Sequence, residues 1–161
     1  MRACNGPNAL ARFDRDVLAR SGVGYLIVLE GINDLGTLTR DGAVSESEHQ
    51  DLVRRMIQAY SEIVQRARTH GIKVIGGTLL PFSGFEVYRP DEVNELHRLL
   101  INAWIRAPGN FDAVIDFDKL ASDPERPDWL LAEYDSGDHI HPSPEGYRAL
   151  GEAIALELFE R

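Results

Sequence analysis

The sequence predicts an α/β protein in which helices cover both faces of a parallel β-sheet. Three short apolar runs, at residues 23–29, 73–79 and 111–117, have the length and composition of buried strands. Segments with helical spacing of apolar residues alternate with these runs, in the order helix, strand, helix, strand, helix, strand, loop, helix. This alternation is typical of parallel strands joined by right-handed crossovers. We therefore expect a three-layer α/β/α arrangement formed by a single domain over residues 1–161.

The first helix is predicted over residues 7–20, and it leads into the first strand. Pro7 suits a first helical turn, and Ser21-Gly22 is typical of a helix end. The strand that follows, at residues 23–29, has apolar side chains at nearly every position, which indicates burial on both faces. The apolar residues of the helix recur on one face: Leu10, Phe13, Val17 and Leu18.

The first strand ends in Gly31-Ile32-Asn33-Asp34, a short polar segment with two interpretations. Asn and Asp favour turns because their side chains form hydrogen bonds with nearby backbone groups, so an ordinary turn is one interpretation. The other is a ligand-handling loop, since such loops lie at the carboxyl ends of parallel strands. The segment alone does not decide between them.

The middle of the chain contributes one long helix and the second strand. A polar, glycine-containing stretch reaches to about residue 47, and an apolar stripe then predicts a helix to about residue 70. Gly76 and Gly77 in the second strand indicate a close backbone approach. Residues 80–90 are predicted as a loop because they contain two prolines and a glycine. The loop aromatics Phe82, Phe85 and Tyr88, with Trp129 further on, either line a ligand cleft or pack inward.

The carboxyl-terminal half should hold two more helices around the third strand. Asp91 is a suitable cap for the first of them, and Ser143-Pro144 is a strong start for the second. Residues 118–142 are predicted to be mostly irregular because they are rich in proline. The expected buried residues are Val93, Leu96, Leu100, Ala103 and Trp104 in the first helix, and Tyr147, Leu150, Ile154 and Leu158 in the second.

Composition excludes several classes of function. The chain carries 17 basic and 26 acidic residues, a net charge of −9, and no basic cluster, which argues against nucleic acid and anionic membranes as partners. The sequence has no run of about 18 apolar residues, so no membrane span is predicted. The single cysteine, Cys4, excludes an internal disulfide and a multi-thiolate metal site. No signal peptide is visible in the first twenty residues, and this does not settle the location of the protein.

A second polar motif, Asp138-His139-Ile140-His141, precedes the last helix. Its spacing lets the Asp138 carboxylate accept a hydrogen bond from one ring nitrogen of His141, which leaves the other nitrogen as a general base. The alternative is a helix-capping loop with surface histidines. A metal site formed by Asp138, His139 and His141 ranks lower, because only one histidine can readily face the same way as Asp138.

Together the two motifs resemble those of the SGNH (GDSL-type) hydrolases. Gly31-Ile32-Asn33-Asp34 is similar to the third conserved block of that family, and Asp138 to His141 to the fifth. The resemblance covers residues 6–159 and implies a flavodoxin-like α/β/α fold. It also implies an esterase with His141 as base, Asp138 as its orienting carboxylate and Asn33 as oxyanion donor, with Gly31 and Asp34 beside it. The implied substrate is a small-molecule ester or an acylated carbohydrate. The resemblance implies that the reaction needs neither a metal ion nor another cofactor.

The sequence departs from that family at its amino-terminal end. The family opens with a strand and a Gly-Asp-Ser turn that carries the nucleophile, followed by a block with a further oxyanion-binding glycine, and neither is present. We therefore expect an amino-terminally truncated hydrolase with little activity of its own. Its sheet should lack its first strand, and the apolar edge beside residues 23–29 should favour self-association.

Two other functions compete with the esterase. A non-catalytic binding remnant, or an unstable fragment of such a hydrolase, would explain the missing nucleophile. A nucleotide-binding or receiver-type domain would share the α/β architecture, but neither a Gly-x-Gly-x-x-Gly motif nor a phosphate-binding Gly-Lys-Ser/Thr loop is present.

Overall fold

A computed structural model describes residues 6–160, and its centre is a parallel sheet. Within these residues the sheet has three strands in the order β1-β2-β3: β1 is Tyr25–Val28, β2 is Lys73–Gly77 and β3 is Ala113–Ile115. Leu26 is aligned with Val74, and Gly76 with Val114. All three predicted strands and their parallel direction are therefore confirmed. Cys4 lies outside the described residues.

Helices precede, connect and follow these strands. Their bounds are α1 Ala9–Phe13, α2 Ile32–Thr39, α3 Glu46–Thr69, α4 Glu92–Arg106, α5 Phe117–Ala121 and α6 Pro144–Glu152. A π-helical segment, Asp14–Leu18, continues α1, and 3₁₀ turns occur at Glu86–Tyr88 and Leu156–Phe159. Ser45 begins α3 with a capping box to Glu48, Asp91 caps α4 and Ser143 caps α6. No helix among residues 6–160 is long and apolar enough to cross a membrane.

The core lies in two clusters, one on each face of the sheet. One cluster joins α1, α3 and α4 to the sheet face that carries Leu26, Val28 and Val74. The other joins α5, α6 and the terminal 3₁₀ turn to the opposite face, which carries Ile75 and Ile115. Because strand side chains alternate between faces, both clusters draw on the same strands, and the three-layer α/β/α prediction is confirmed.

The glycines of β2 have the packing role that the sequence predicts. A Cβ atom on Gly76 would lie 2.7 Å from the Phe111 ring, and one on Gly77 would lie 2.9 Å from the Phe117 ring. These two aromatic rings therefore pack directly on the β2 backbone, one in each core cluster. A larger residue at either position would push the ring away from the sheet.

Several expectations about the elements are wrong. The first strand is not buried on both faces, because Ile27 is 38% exposed and Leu29, just after β1, is 42% exposed. The sequence predicts one helix between β1 and β2, but residues 32–39 form the additional helix α2. Helix α6 ends at Glu152, so Ile154 and Leu158 lie beyond it. Tyr147 is 58% exposed rather than buried in the last helix. On α4 the residues Leu96, Leu100 and Ala103 face outward, while Val93 and Trp104 are only partly buried.

Beside the core residues Ile101 and Ile105, the buried face of α4 carries polar side chains that bind backbone groups of neighbouring segments. Asn102 accepts a hydrogen bond from Leu79 N at 2.7 Å and donates one to Leu79 O at 2.9 Å. Asn94 donates to Leu35 O in α2 at 3.1 Å. Arg98 is 1% exposed and donates to Leu79 O at 2.8 Å and to the Asp118 carboxylate. The helix thereby satisfies backbone groups that would otherwise be buried without partners.

A pair of buried histidines also joins α3 to α4. The rings of His49 and His97 have centroids 5.1 Å apart, and each residue is 2% exposed. Neither Nδ1 atom has a hydrogen-bond partner among residues 6–160. Burial lowers the pKa of His97, and His49 lowers it further, although Glu46 and Asp91 act in the opposite direction. The fold therefore favours a neutral His97.

This pair predicts a loss of stability in mild acid. Because the pKa of His97 in the folded state is below its unfolded value of 6.5, the unfolded chain binds more protons in the interval between the two values. The free energy of unfolding should therefore fall as the pH decreases through about 6.5. We expect His97→Gln to flatten this dependence, measured by urea unfolding between about pH 5 and pH 8.

His70→Gln is the matched control, because His70 is exposed at the end of α3. It removes a histidine outside the contact between α3 and α4, and so provides the reference slope of stability against pH. An equal slope in His97→Gln and His70→Gln would contradict the assignment of the acid sensitivity to His97.

Candidate active site

The first part of the site is built by a turn that only glycine fits well. After β1, Gly31 has φ 121°, a conformation that L side chains rarely adopt. A Cβ atom there would also lie 2.5 Å from Met56 Cε and 2.6 Å from Tyr60 Oη. The Tyr60 hydroxyl donates to the carbonyl of Glu30, which fixes the chain immediately before the turn. Residue 31 thus presses the chain against α3 and redirects it into α2.

Asn33 and Asp34 consequently lie in the first turn of α2 rather than in a loop. Asn33 is exposed, and its Oδ1 accepts a hydrogen bond of 2.7 Å from the Tyr88 hydroxyl. Within residues 6–160 its Nδ2 group has no hydrogen-bond partner. The carboxamide therefore presents a free N–H donor while its oxygen is held.

Asp34, next to Asn33, faces a less polar environment. Burial raises the pKa of its carboxyl group, and the nearby charge of Glu30 raises it further, whereas Arg55 of α3 opposes the shift. Burial also raises the pKa of Tyr60, with contributions from Asp34 and Glu30. This part of the site thus concentrates acidic groups between α2 and α3.

The second part of the site is the loop before α6. His141 Nδ1 lies 2.5 Å from Asp138 Oδ2, as the sequence spacing predicts. Asp138 Oδ1 also accepts hydrogen bonds from the His141 amide at 2.9 Å, the Ile140 amide at 3.1 Å and the Ser136 hydroxyl at 3.0 Å. Desolvation alone would raise the pKa of Asp138, but these hydrogen bonds, led by that from His141, outweigh it and hold the pKa well below its usual range. Asp138 is therefore ionised at neutral pH and fixes the His141 ring.

A second carboxylate–histidine pair, which the sequence analysis missed, lies beside the first. His139 Nδ1 contacts the Asp135 carboxylate, which also accepts hydrogen bonds from the amides of Gly137 and His139. His139 has φ 67°, and this backbone conformation separates its side chain from that of His141. In residues 6–160 no group of three or more His, Cys, Asp or Glu is placed to hold a metal ion. The spacing Asp-x-x-x-His was the available signal for this pair.

The two parts of the site meet through the loop after β2. The Phe85 ring packs edge-on against Tyr88, with centroids 4.8 Å apart, and lies 6.5 Å from the His141 ring. Phe82, in contrast, is 1% exposed and belongs to the core. Trp129 lies against His139, with centroids 5.1 Å apart, and the Arg126 guanidinium covers its ring. The loop aromatics thus split between core packing and contacts with the site.

A cleft of about 570 Å³ opens beside Asn33. It runs between the amino-terminal helix and α3, and its wall includes Gly31, Asn33, Asp34, Arg55 and Tyr60. His141 does not line this cleft. The proposed oxyanion donor and the proposed base are therefore connected through Tyr88 and Phe85 rather than through a shared cavity.

The comparison with known families identifies the chain. Residues 1–149 match the model of the GDSL-like lipase/acylhydrolase family. The chain belongs to this family. The resemblance seen in Gly31 to Asp34 and in Asp138 to His141 is therefore confirmed at the level of the family. The roles of the individual residues remain predictions.

Solved structures support the same fold for this GDSL-like chain. A GDSL-like lipase from Bacteroides thetaiotaomicron aligns with a TM-score of 0.72 and 24% identity, over 90% of this chain and 66% of its own. A proposed acylhydrolase from Bacteroides fragilis aligns with a TM-score of 0.66 and 23% identity, over 90% of this chain and 65% of its own. A proposed lipolytic protein of the G-D-S-L family from Desulfitobacterium hafniense aligns with a TM-score of 0.64 and 24% identity, over 90% of this chain and 70% of its own.

The GDSL-like chain thus spans slightly less than two thirds of the first two of these structures. At such identities the likeness shows the α/β fold and no more. A search of the curated proteins found no match.

The turn at Gly31 generates a prediction about stability. We expect Gly31→Ala to lower the free energy of unfolding by about 1–3 kcal/mol, because a strained backbone conformation costs this much. The contacts with Met56 and Tyr60 should add to the loss. The measurement is chemical unfolding followed by circular dichroism.

Two other glycines separate the effect of backbone strain from that of the close contacts. Gly22→Ala introduces strain without a close contact, since Gly22 has φ 76° and open space around it. Gly24→Ala introduces neither strain nor a close contact, and it should leave the free energy of unfolding nearly unchanged. If Gly31→Ala unfolded at the same denaturant concentration as Gly24→Ala, the turn would not impose the constraint described here.

Proposed function

We propose that this chain provides the general base and an oxyanion donor of an ester-hydrolysing site. The observation that carries the proposal is the contact of 2.5 Å between His141 Nδ1 and the ionised Asp138. The contact engages one ring nitrogen and leaves Nε2 as the proton acceptor. The free Nδ2 group of Asn33 supplies a neutral donor for developing negative charge. Asp34 and Gly31 form the wall beside this donor.

The proposed chemistry is acyl transfer from a small-molecule ester or an acylated carbohydrate. A hydroxyl group attacks the ester carbonyl carbon while its proton moves to His141 Nε2, and the carbonyl oxygen becomes an oxyanion that accepts a hydrogen bond from Asn33. When the tetrahedral intermediate collapses, the alcohol leaves with the proton from His141. Water then attacks the acyl group in the same way and restores the starting state. Each step balances without a metal or another cofactor.

The attacking hydroxyl is the part that this chain does not supply in our proposal. The sequence contains no Gly-Asp-Ser. Ser136, the serine bonded to the Asp-His pair, donates to Asp138 and not to His141. Ser143 donates to the Glu133 carbonyl and caps α6. Loss of the nucleophile from such a triad lowers kcat on the order of a millionfold, so the chain by itself should be nearly inactive.

A second candidate is a non-catalytic, ligand-binding role. It is favoured by one observation: no hydroxyl group among residues 6–160 forms a hydrogen bond with His141 Nε2. In that case the cleft beside Asn33 would bind a small acylated molecule without turning it over.

An added alcohol in place of the missing serine separates the two candidates. We expect the chain to release p-nitrophenol from p-nitrophenyl acetate at a rate that rises with the concentration of trifluoroethanol. His141 should act as a general base for this alcohol and raise its rate at least about tenfold. His141→Ala should abolish the increase, and Asp138→Asn should reduce it.

His139→Ala is the matched control, because it removes the histidine of the neighbouring pair. It should retain the alcohol-dependent rate. Equal rates in the unmodified chain and in His141→Ala would overturn the proposed base and favour the binding role. A His141-dependent rate without alcohol, together with an acetyl group found by mass spectrometry on a serine or threonine side chain, would show that the chain contains its own nucleophile.

We also propose that the free edge of β1 pairs with a second copy of this chain. Within residues 6–160, β1 has a strand neighbour on one side alone, which leaves backbone donors and acceptors on the other. Ile27 is 38% exposed and Leu29 is 42% exposed on the same strand face. An apolar open edge of this kind favours strand pairing between chains.

This edge predicts the oligomeric state. The unmodified chain should be a dimer or larger by light scattering after size-exclusion chromatography, and Ile27→Lys should shift it to monomer, since an edge lysine blocks strand pairing. Leu96→Lys is the control, because Leu96 is 53% exposed and lies on the outer side of α4. A monomeric unmodified chain would contradict the proposal.

A further inference from the structure

We propose that Tyr88 is a positioning residue that fixes the orientation of the Asn33 side chain. The inference rests on the proposed function of Asn33 as oxyanion donor and adds a residue that the family motifs do not contain. Tyr88 lies in the 3₁₀ turn Glu86–Tyr88, 55 positions from Asn33 in sequence, and its hydroxyl donates to Asn33 Oδ1 at 2.7 Å.

The Tyr88 side chain is held from several sides before its hydroxyl reaches Asn33. It is 6% exposed. Its ring packs directly on α2 at Gly36, where any Cβ atom would collide with it. Thr39, three residues further along α2, donates from its hydroxyl to the Tyr88 carbonyl at 2.8 Å. Phe85 contacts the ring edge-on. A side chain restrained in this way loses little further entropy when its hydroxyl binds.

The hydrogen bond has a direct consequence for the chemistry of Asn33. A carboxamide has an acceptor end and a donor end of nearly the same shape, and an exposed one exchanges between two flipped orientations. The orientation with the oxygen toward the substrate would repel an oxyanion, whereas the other orientation donates to it. The Tyr88 hydroxyl occupies Oδ1 and thereby selects the orientation in which Nδ2 is free.

The same loop also contacts the base. Phe85 lies between Tyr88 and His141, with ring centroids 4.8 Å and 6.5 Å away. One short segment after β2 therefore touches both the side chain that orients Asn33 and the imidazole that takes the proton. The separation between donor and base is in this way set by residues 85–88.

A purely structural role for Tyr88 makes a different prediction. If the residue served only to fill space beside Gly36, the ring would suffice and the hydroxyl would be dispensable. Tyr88→Phe keeps the ring and removes only the donor to Asn33. It thus separates positioning from packing.

The matched control is Tyr25→Phe. The Tyr25 hydroxyl donates to the Phe159 carbonyl at 2.8 Å, in the core cluster on the opposite face of the sheet. The control therefore removes the same atom from a hydrogen bond of similar length. It should cost similar stability without changing Asn33.

The first measurement is nuclear magnetic resonance of the Asn33 side chain, assigned by comparison with Asn33→Asp. In Tyr88→Phe we expect the ¹³Cγ signal of Asn33 to move upfield, because its oxygen loses a donor, while the backbone signals of α2 stay in place. Tyr25→Phe should leave the ¹³Cγ signal unchanged. An unchanged signal in Tyr88→Phe would overturn the inference, whether or not the chain hydrolyses esters.

The second measurement is the trifluoroethanol-dependent release of p-nitrophenol. Tyr88→Phe should lower kcat by about threefold to tenfold, the range that corresponds to one neutral hydrogen bond, with KM nearly unchanged. Tyr25→Phe should retain the full rate. A shifted ¹³Cγ signal with no alcohol-dependent rate in any variant would support the orienting contact and refute the proposed function. A shifted signal with an undiminished rate would refute the role of that contact in acyl transfer.

Discussion

The positive φ of Gly31 is the constraint on which this site depends. It lets the chain turn within three residues from the end of β1 into α2, against the side chains of Met56 and Tyr60. The Tyr60 hydroxyl binds the carbonyl just before the turn, so the long helix α3 sets where α2 begins. Asn33 is exposed because it occupies the first turn of that helix. The position of Asn33, the proposed oxyanion donor, is therefore determined by the packing of α3 on the sheet.

The proposed base, His141, is positioned by a different kind of structure. Asp138 and His141 lie in a loop without regular secondary structure, and hydrogen bonds to one carboxylate replace the support of a helix or strand. The hydrogen bond from His141, with those from the backbone amides, lowers the pKa of Asp138 and holds the carboxylate in place. The neighbouring Asp135–His139 pair is held by the same kind of contacts, but His139 has a positive φ. Two similar pairs thus lie within seven residues.

The sequence was informative where burial alone determines the pattern. The strands of a parallel sheet produce apolar runs, so their existence and direction could be predicted, although Ile27 of β1 is more exposed than its run suggests. Gly76 and Gly77 indicated a close approach to the backbone, but not that the Phe111 and Phe117 rings make it. Helix α2 could not be predicted, because Gly36 and its threonines are poor helix formers and the helix depends on tertiary contacts such as Asn94 to Leu35. The Asp138–His141 contact followed from spacing. The contact between Tyr88 and Asn33 joins residues 55 positions apart, and no local pattern encodes it.

Helix α4 mixes polar and apolar residues on its buried side. Beside Ile101 and Ile105, this side carries Asn94, Arg98 and Asn102, which bind backbone groups, while Leu96 and Leu100 face outward. Substitution scales that reward apolar residues inside and polar residues outside would therefore misjudge variants at these five polar and leucine positions. Such a scale would score a change from leucine to glutamine on the outer side of α4 as damaging, although the change removes no core contact. Such a scale would score a change from asparagine to leucine on its inner side as favourable, although the change leaves buried peptide groups without hydrogen-bond partners.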